Sequence, residues 1–252
     1  MTPAVSVALP LYATRAAVPE LIDRLQAALR DSGPVELVFV DDGCPERSYE
    51  EVAAHPADGV SVVLVRHKRN EGQHAAVLTA LRAASGEVCA VMDADLQDAP
   101  EDLPVLLRAL AEDPSVGAVA AGRRGRYEEA WRQHTARAFR WAMHTLTRGR
   151  VPVDAGLFLV MTRRTRDRIL ELDDPAVHLV AALGRLRIGM HTVPVVRRCR
   201  PTGATGYGRC QRAFTAARSL VVVTPLYPLY RRVRPRSAPA TMPVLSDSPR
   251  AR

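Results

Sequence analysis

Two aspartates separated by one residue follow a short apolar run in the middle of the chain. The run Val88 to Met92 has the length and β-branched content of a strand buried on both faces, and it stops at Asp93-Ala94-Asp95. Because side chains alternate along an extended backbone, Asp93 and Asp95 point the same way, and Gln97 shares their parity. Carboxylate and amide oxygens suit a hard divalent cation such as Mg²⁺ or Mn²⁺. Asp93, Asp95 and Gln97 therefore form a candidate metal site, although an isolated D-x-D more often marks an acidic turn.

The elements around this motif alternate between strands and helices. Further buried strands are predicted at Val5 to Leu9, Leu37 to Val40, Val60 to Val65 and Val116 to Ala121. Helical spacing is found at Val18 to Leu29, about 47–54, about 74–85 and Leu103 to Leu110. This order predicts an α/β fold with a mostly parallel sheet flanked by helices, in which ligands bind beyond the carboxyl ends of the strands.

A second acidic pair stands at the end of another predicted strand. Asp41 and Asp42 follow Leu37 to Val40, so they lie at the same sheet edge as Asp93 and Asp95. Four clustered carboxylates with no lysine or arginine among them would repel one another in the absence of a cation. We therefore expect the four acids to converge on one cation-binding edge.

Composition excludes several classes of protein. The 252 residues are 47% hydrophobic and 25% charged, as in ordinary globular chains. Lys68 is the only lysine, so the net charge of +8 is carried by arginine, which suits phosphate recognition but also follows from an arginine-biased genome. With 5% aromatic residues and no known module, a nucleic-acid partner is excluded. The four cysteines show no C-x-x-C spacing, and the N-terminus lacks a signal peptide, which predicts a cytoplasmic protein with reduced thiols.

The second half is less regular. Tyr127 to Thr147 is predicted to be a long basic helix with two tryptophans, which either packs on the core or lies against a membrane surface. A strand at Leu157 to Met161, a helix at Arg163 to Leu172 and a strand at Val193 to Val196 follow. We expect one domain over 1–230, with a nucleotide-binding half at 1–122 and an acceptor half at 123–230, and a disordered basic tail at 231–252.

Together these motifs resemble the inverting family 2 glycosyltransferases of GT-A fold, and within them the dolichyl-phosphate mannose synthase and polyprenyl-phosphate glycosyltransferase branch. The most specific match is DADLQDAP at 93–100, close to the D-A-D-L-Q-D-P-P of that branch. The other matches are Asp41-Asp42-Gly43-Cys44 to D-D-G-S, Gly122-Arg123-Arg124 to G-x-R, 154–159 to D-x-G-D-F-R and 197–209 to R-R-x-G-x-S-K-Y. Leu157, Leu159 and Thr205-Gly206 depart from these patterns.

The resemblance implies a role for each matching residue. It implies a nucleotide site formed by Pro10, Tyr12, Asp41, Asp42, Asn70 and Asp93. It assigns the metal to Asp93, Asp95 and Gln97, makes Asp95 essential for turnover, and leaves Asp154 as the best general base for a hydroxyl acceptor. An acceptor phosphate would be bound by Arg123, Arg198, Arg200, Tyr207 and Arg209.

The resemblance also implies a reaction. We expect Mg²⁺- or Mn²⁺-dependent inverting transfer of a sugar from a nucleotide-diphospho-sugar donor to a polyprenyl or dolichyl phosphate, which is an anion at neutral pH and needs no dedicated base. Two alternatives stay open: transfer to a small hydroxylated metabolite, and a catalytically silent nucleotide-sugar binding subunit. The apolar run Leu220 to Tyr230 is too short to span a bilayer, so a peripheral location at the cytoplasmic membrane face, with a membrane partner subunit, is expected.

Overall fold

Seven strands form a single sheet in the computed structural model. The structure describes residues 4–124, 139–174, 177–196, 217–228 and 230, and at 123 and 124 it describes the backbone only. The strands are β1 (Val5–Leu11), β2 (Val35–Asp41), β3 (Val60–Arg66), β4 (Val88–Val91), β5 (Ala118–Arg124), β6 (Ala155–Thr162) and β7 (Met190–Val196). The helices are α1 (Val18–Ala28), α2 (Ser48–Ala54), α3 (Gln73–Ala83), α4 (Leu103–Glu112), α5 (Arg163–Leu170) and α6 (Leu179–Arg185). Short 3₁₀ turns precede α1 and α4, at Arg15–Ala17 and Pro100–Asp102.

The order of the strands places several chain segments at one edge of the sheet. The order is β3-β2-β1-β4-β6-β5-β7, and only β6 runs antiparallel to its neighbours. The carboxyl ends of the other six strands and the amino end of β6 therefore meet at the same edge. The chain proceeds from β1 outward to β3 and then returns to the other side of β1 with β4, so the strand order reverses between β1 and β4. Crevices at such reversals are where ligands bind in open α/β sheets.

Apolar side chains cover both faces of the sheet. On one face α1 and α4 bury their regularly spaced residues against the strands, among them Leu21, Ile22, Leu103 and Leu106. On the opposite face α3 is buried from Ala75 to Leu81 and packs beside α5, which in turn contacts α6. Each fully buried leucine or isoleucine contributes about 1.5–3 kcal/mol relative to an exposed one, so these two layers hold the sheet edge in place.

One buried carboxylate interrupts the apolar strands. Glu36 in β2 is 6% exposed and accepts hydrogen bonds from Ser6 Oγ at 2.5 Å, Ser85 N at 2.9 Å and Ser85 Oγ at 2.8 Å. Ser6 Oγ in turn accepts the backbone N–H of Gly86. Because three donors surround it, the carboxylate is satisfied without water, and it ties the turn before β4 to the amino ends of β1 and β2.

The predicted mostly parallel α/β sheet is confirmed, with differences in the second half. β7 begins three residues earlier than predicted, and α6 was not predicted at all because it is a short segment buried on nearly every side, with no polar face to reveal a helical period. Of the long helix predicted at Tyr127 to Thr147, residues 139–146 are described and are helical. The tail at 231–252 lies outside the described residues, and the division into a single domain with two halves stays a prediction.

Candidate active site

Three oxygen-bearing side chains follow β4. Asp93, Asp95 and Gln97 are partly exposed, whereas the residues between them are buried, which is the alternation that the sequence predicted. The backbone produces this alternation by a turn rather than by an extended strand, since Leu96 adopts a φ of 60° and its side chain packs into the core. A left-handed leucine costs about 1–2 kcal/mol, which its burial offsets. Asp95 Oδ1 accepts the N–H of Gln97 at 3.1 Å and stabilises this turn.

The chemistry of this row fits a hard divalent cation. Two carboxylates and one amide oxygen are the donor types that Mg²⁺ and Mn²⁺ prefer, and they leave coordination positions for diphosphate oxygens and water. Within the described ranges, no three histidine, cysteine, aspartate or glutamate side chains converge to hold a metal ion.

The acidic pair after β2 serves a different purpose from the one expected. Asp41 Oδ1 accepts the N–H of Cys44 at 2.9 Å, and its Oδ2 accepts the N–H of Tyr49 at 3.3 Å. Asp42 Oδ1 accepts His67 Nδ1–H at 2.7 Å. Both aspartates are 2% exposed. The four acids lie at one edge of the sheet, as expected, but Asp41 and Asp42 accept N–H groups of their own loops and do not face a shared cation with Asp93 and Asp95.

Asp42 anchors the loop that leads from β3 into α3. Besides the bond from His67, its two oxygens accept the N–H groups of Glu71 and Gly72, each at 2.8 Å. His67 Nε2 lies 2.9 Å from Thr79 Oγ1 on α3, so the imidazole connects the strand end with the helix. His67 carried no sequence signal beyond its place at a strand end. The role of Asp41 and Asp42 toward a nucleotide stays a prediction.

The remaining residues predicted for the nucleotide lie at the same edge. Pro10 lies near the end of β1, two residues after Ala8, which forms the last pair of β1 with β4. Because β4 is no longer paired with β1 at this position, the missing N–H of the proline removes no hydrogen bond from the sheet. Tyr12 follows at the end of β1 and is 39% exposed. Asn70 is exposed in the loop before α3. This loop packs closely on the turn after β2, because a Cβ at Gly43 would lie 2.7 Å from Asn70 N.

A glutamine that sequence reasoning missed contacts the candidate metal site. Gln73, the first residue of α3, donates from Nε2 to Asp93 Oδ1 at 2.5 Å. The two residues are 20 positions apart, and no periodicity connects them. They meet because α3 begins at the carboxyl edge of the sheet, beside the end of β4.

The predicted acceptor side is partly described. Asp154 precedes β6 and accepts the Thr192 hydroxyl with both oxygens, at 3.0 and 3.1 Å, across the end of β5. A Cβ at Gly122 would lie 2.5 Å from Asp154 Oδ2, so glycine permits this approach. The backbone of Arg123 pairs with Val195 at the same edge. The other predicted phosphate ligands, Arg198, Arg200, Tyr207 and Arg209, lie outside the described residues.

The segment before β6 carries exposed apolar and basic side chains. Trp141 is 66% exposed, and Leu146 and Val153 are each 47% exposed. Arg148 and Arg150 lie between them in the sequence, and Arg148 is exposed. Aromatic and aliphatic side chains interspersed with arginine are typical of surfaces that contact anionic lipid. Over the described parts of the chain, no helix has the length and apolar content required to cross a bilayer.

Two perturbed groups near the sheet do not act as bases or nucleophiles at neutral pH. Burial and the nearby Arg218 lower the pKa of His74 to about 4, so this imidazole is neutral. Its ring contacts that of His178 with centroids 4.6 Å apart. Burial raises the pKa of the Cys89 thiol to about 11, which leaves it protonated and inert.

Known proteins resemble the chain in both sequence and structure. It is 40% identical over 163 residues to an undecaprenyl-phosphate 4-deoxy-4-formamido-L-arabinose transferase of Pseudomonas paraeruginosa, which covers 64% of this chain and 47% of the relative. A protein of the same name from Pectobacterium atrosepticum is 32% identical over 196 residues, covering 76% and 54%. The chain thus spans about half the length of the curated relatives it matches.

Solved structures show the same fold. Glucosyl-3-phosphoglycerate synthase from Mycobacterium tuberculosis, in complex with Mn²⁺, uridine diphosphate and glucosyl-3-phosphoglycerate, aligns with a TM-score of 0.63 at 18% identity, over 93% of this chain and 82% of that one. A mannosyltransferase from Pyrobaculum calidifontis, in complex with GDP-Man and Mn²⁺, aligns with a TM-score of 0.58 at 24% identity, over 95% and 66%. The fold is therefore that of the GT-A glycosyltransferases.

The motifs named from the sequence, except the one at 197–209, fall inside the segment that a family model matches. That model, "Glycosyl transferase family 2", covers residues 6–171, from β1 to the end of α5. It includes the turn after β2, the row of Asp93, Asp95 and Gln97, and Asp154. The chain belongs to glycosyl transferase family 2.

Proposed function

We propose that the chain transfers a sugar from a nucleoside diphosphate donor to a polyprenyl phosphate, with inversion and with a divalent cation. The observation that carries the proposal is the row of Asp93, Asp95 and Gln97 at the strand-order reversal, an oxygen-rich surface that needs a cation to accept an anionic ligand. The relatives are named undecaprenyl-phosphate transferases, and these names support a polyprenyl phosphate as the acceptor.

Charge determines how the donor is held. Unshielded, Asp93 and Asp95 would repel a diphosphate at short range in a partly buried site by several kcal/mol, of the order expected for charges about 4 Å apart at intermediate dielectric. When bound, Mg²⁺ or Mn²⁺ would neutralise the diphosphate as it leaves. The protein orients the donor: Pro10 and Tyr12 border the crevice on the β1 side, and the loop anchored by Asp42 borders it on the β3 side.

The transfer requires no proton from the acceptor. A phosphate monoester is already largely an anion at neutral pH, so its oxygen attacks the anomeric carbon directly. The new bond forms between that oxygen and the carbon, the bond from the carbon to the diphosphate oxygen breaks, and its electron pair leaves with the nucleoside diphosphate. Attack opposite the leaving group inverts the anomeric configuration.

The apolar side chains of Trp141, Leu146 and Val153, together with the intervening Arg148 and Arg150, fit a lipid acceptor. They belong to the segment that leads into β6, whose amino end lies at the same sheet edge as the candidate metal site. Apolar side chains inserted among lipid headgroups, with arginines facing anionic lipid, would keep a polyprenyl phosphate within reach without a spanning helix. We propose that the protein is peripheral at the cytoplasmic membrane face, where a membrane partner subunit would add to this contact.

A small hydroxylated acceptor is the second candidate, and Asp154 favours it. A hydroxyl must lose its proton during direct displacement, and Asp154, which lies before β6 and accepts the Thr192 hydroxyl, is the acid that we assign as its base. The buried apolar Leu157 and Leu159 replace the acid and the arginine of the family pattern, so neither can supply the base.

The assay incubates the purified chain with radiolabelled UDP-glucose or GDP-mannose and one of three acceptors: undecaprenyl phosphate, undecaprenol or glycerol. We expect labelled lipid only with undecaprenyl phosphate, and only with Mg²⁺ or Mn²⁺ present. Asp95→Ala should abolish transfer, whereas Asp58→Ala, which removes an exposed acid at the opposite edge of the sheet, should leave it unchanged. Transfer in excess chelator would refute the metal assignment, and transfer to glycerol alone would favour the second candidate.

A further inference from the structure

The first acid of the D-x-D motif is held by a side chain from α3. Gln73 donates from Nε2 to Asp93 Oδ1 at 2.5 Å, and both side chains are partly buried. We infer that Gln73 is a positioning residue that fixes Asp93 in the orientation in which it binds the divalent cation of the donor diphosphate. The inference rests on the proposed function.

An uncharged donor is suited to this task. The amide N–H of Gln73 restricts the rotation of the Asp93 carboxylate about χ2 while leaving its full negative charge available to a cation. A lysine or arginine in the same place would hold the carboxylate equally well but would repel the metal ion. Hydrogen bonds of this kind to metal-binding carboxylates typically change metal affinity by about 10–100-fold when they are removed.

The position of Gln73 is itself fixed by a buried carboxylate. Asp42 accepts the N–H groups of Glu71 and Gly72, the two residues before α3, each at 2.8 Å. Gly72 has a φ of 94°, which turns the chain from the loop into the helix. Through His67, the same carboxylate is connected to Thr79 within α3. The end of the loop and α3 are thus both attached to the Asp42 carboxylate, which leaves Gln73 little freedom to move away from Asp93.

The test measures binding of Mn²⁺ directly, by the electron paramagnetic resonance signal of the free ion, in the presence of saturating UDP or GDP. Gln73→Met removes the donor while keeping side-chain length and helix propensity. We expect Mn²⁺ to bind about 10–100-fold more weakly. In the transferase assay, the Mn²⁺ concentration for half-maximal rate should rise by the same factor, and kcat should recover at saturating Mn²⁺. A residue needed only for folding would not give this separation of metal requirement from kcat.

Gln26→Met is the matched control. Gln26 also donates from Nε2, to the Asp58 carbonyl at 2.8 Å, but it lies at the opposite edge of the sheet, so Mn²⁺ binding should be unchanged. If Gln73→Met does not fold, Gln73→Ala asks the same question with the residue of highest helix propensity. An affinity within twofold of wild type would overturn the positioning role and leave the proposed function standing. A wild-type chain that binds no Mn²⁺ with either nucleotide would overturn both.

Discussion

Replacing Asp42 by asparagine should destabilise the protein far more than replacing Glu36 by glutamine, although both substitutions remove one buried charge and keep one oxygen. Three donors surround each carboxylate. Around Asp42 two of the three are backbone N–H groups, which cannot accept a hydrogen bond, and each of the two carboxylate oxygens faces one of them. In Asp42→Asn the new NH₂ group therefore faces at least one donor in either orientation of the amide.

The magnitudes follow from these partners. One buried donor left without an acceptor costs about 1–3 kcal/mol, and the loss of charge from the other two bonds costs about 0.5 kcal/mol each. We expect Asp42→Asn to lower the free energy of unfolding by about 3 kcal/mol. In Glu36→Gln the NH₂ group can face Ser85 Oγ, whose hydroxyl rotates and accepts, so every group stays paired. There we expect a loss of about 1 kcal/mol, from the loss of charge alone.

Urea unfolding at pH 7, followed by circular dichroism, gives both values from the shift in midpoint at a common slope. Asp42→Asn should remain folded, because domains of this kind are stable by about 5–15 kcal/mol. The reasoning fails if Glu36→Gln costs as much as Asp42→Asn, or if Asp42→Asn costs less than about 1 kcal/mol.

Three further outcomes are expected. The folded-state pKa of His74, about 4, lies below the value of 6.5 for an unperturbed histidine, so its contribution to stability is complete above pH 6.5 and is lost as the pH falls toward 4. Urea unfolding at pH 7 and pH 5 should show a decrease that is about 2 kcal/mol smaller in His74→Phe than in wild type, and equal decreases would contradict this. Asp154→Asn should reduce transfer to a hydroxyl acceptor by about 10² to 10⁴-fold with donor binding unchanged, and should leave transfer to a phosphate within a few-fold of wild type. Trp141→Glu should weaken binding to phosphatidylglycerol vesicles in a sedimentation assay by about tenfold or more, since burial of a large apolar side chain contributes about 1.5–3 kcal/mol. Val105→Glu on α4 is the control and should leave vesicle binding unchanged. Similar binding by both variants would exclude Trp141 and its neighbours as the membrane contact.

The sequence specifies the donor edge well because its signals are local. The predicted apolar runs Val5 to Leu9 and Leu37 to Val40 lie within β1 and β2 and end next to Pro10 and Asp41, and the spacing of Asp93, Asp95 and Gln97 predicted the alternation of exposed and buried residues after β4. What the sequence could not show is how side chains distant along the chain are paired. Asp42 and Asp93 look alike as strand-end acids, yet one is buried among N–H donors and the other is partly exposed.

Contacts between distant parts of the chain also explain why Gln73 and the partner of Asp154 were not predicted, and α6 was missed for a different reason. Gln73 contacts Asp93 only because of the order of the strands, which no local pattern specifies. The sequence of α6 was not recognised as helical because a helix buried on nearly every side lacks the polar stripe from which a period is recognised. Asp154 was identified through its motif, but its contact with Thr192 depends on the register of β5 with β6 and β7.

The loop from His67 to Gly72 is polar, and its middle residues, Lys68 to Asn70, are exposed. Its attachment to Asp42 changes the entropy of ligand binding. Fixing the backbone of one residue costs about 1–2 kcal/mol, so ordering six residues at the moment of association would remove most of the affinity that a nucleotide can supply. Here that conformational entropy is lost during folding, so under the proposed function the donor would bind to a loop that already has its final shape.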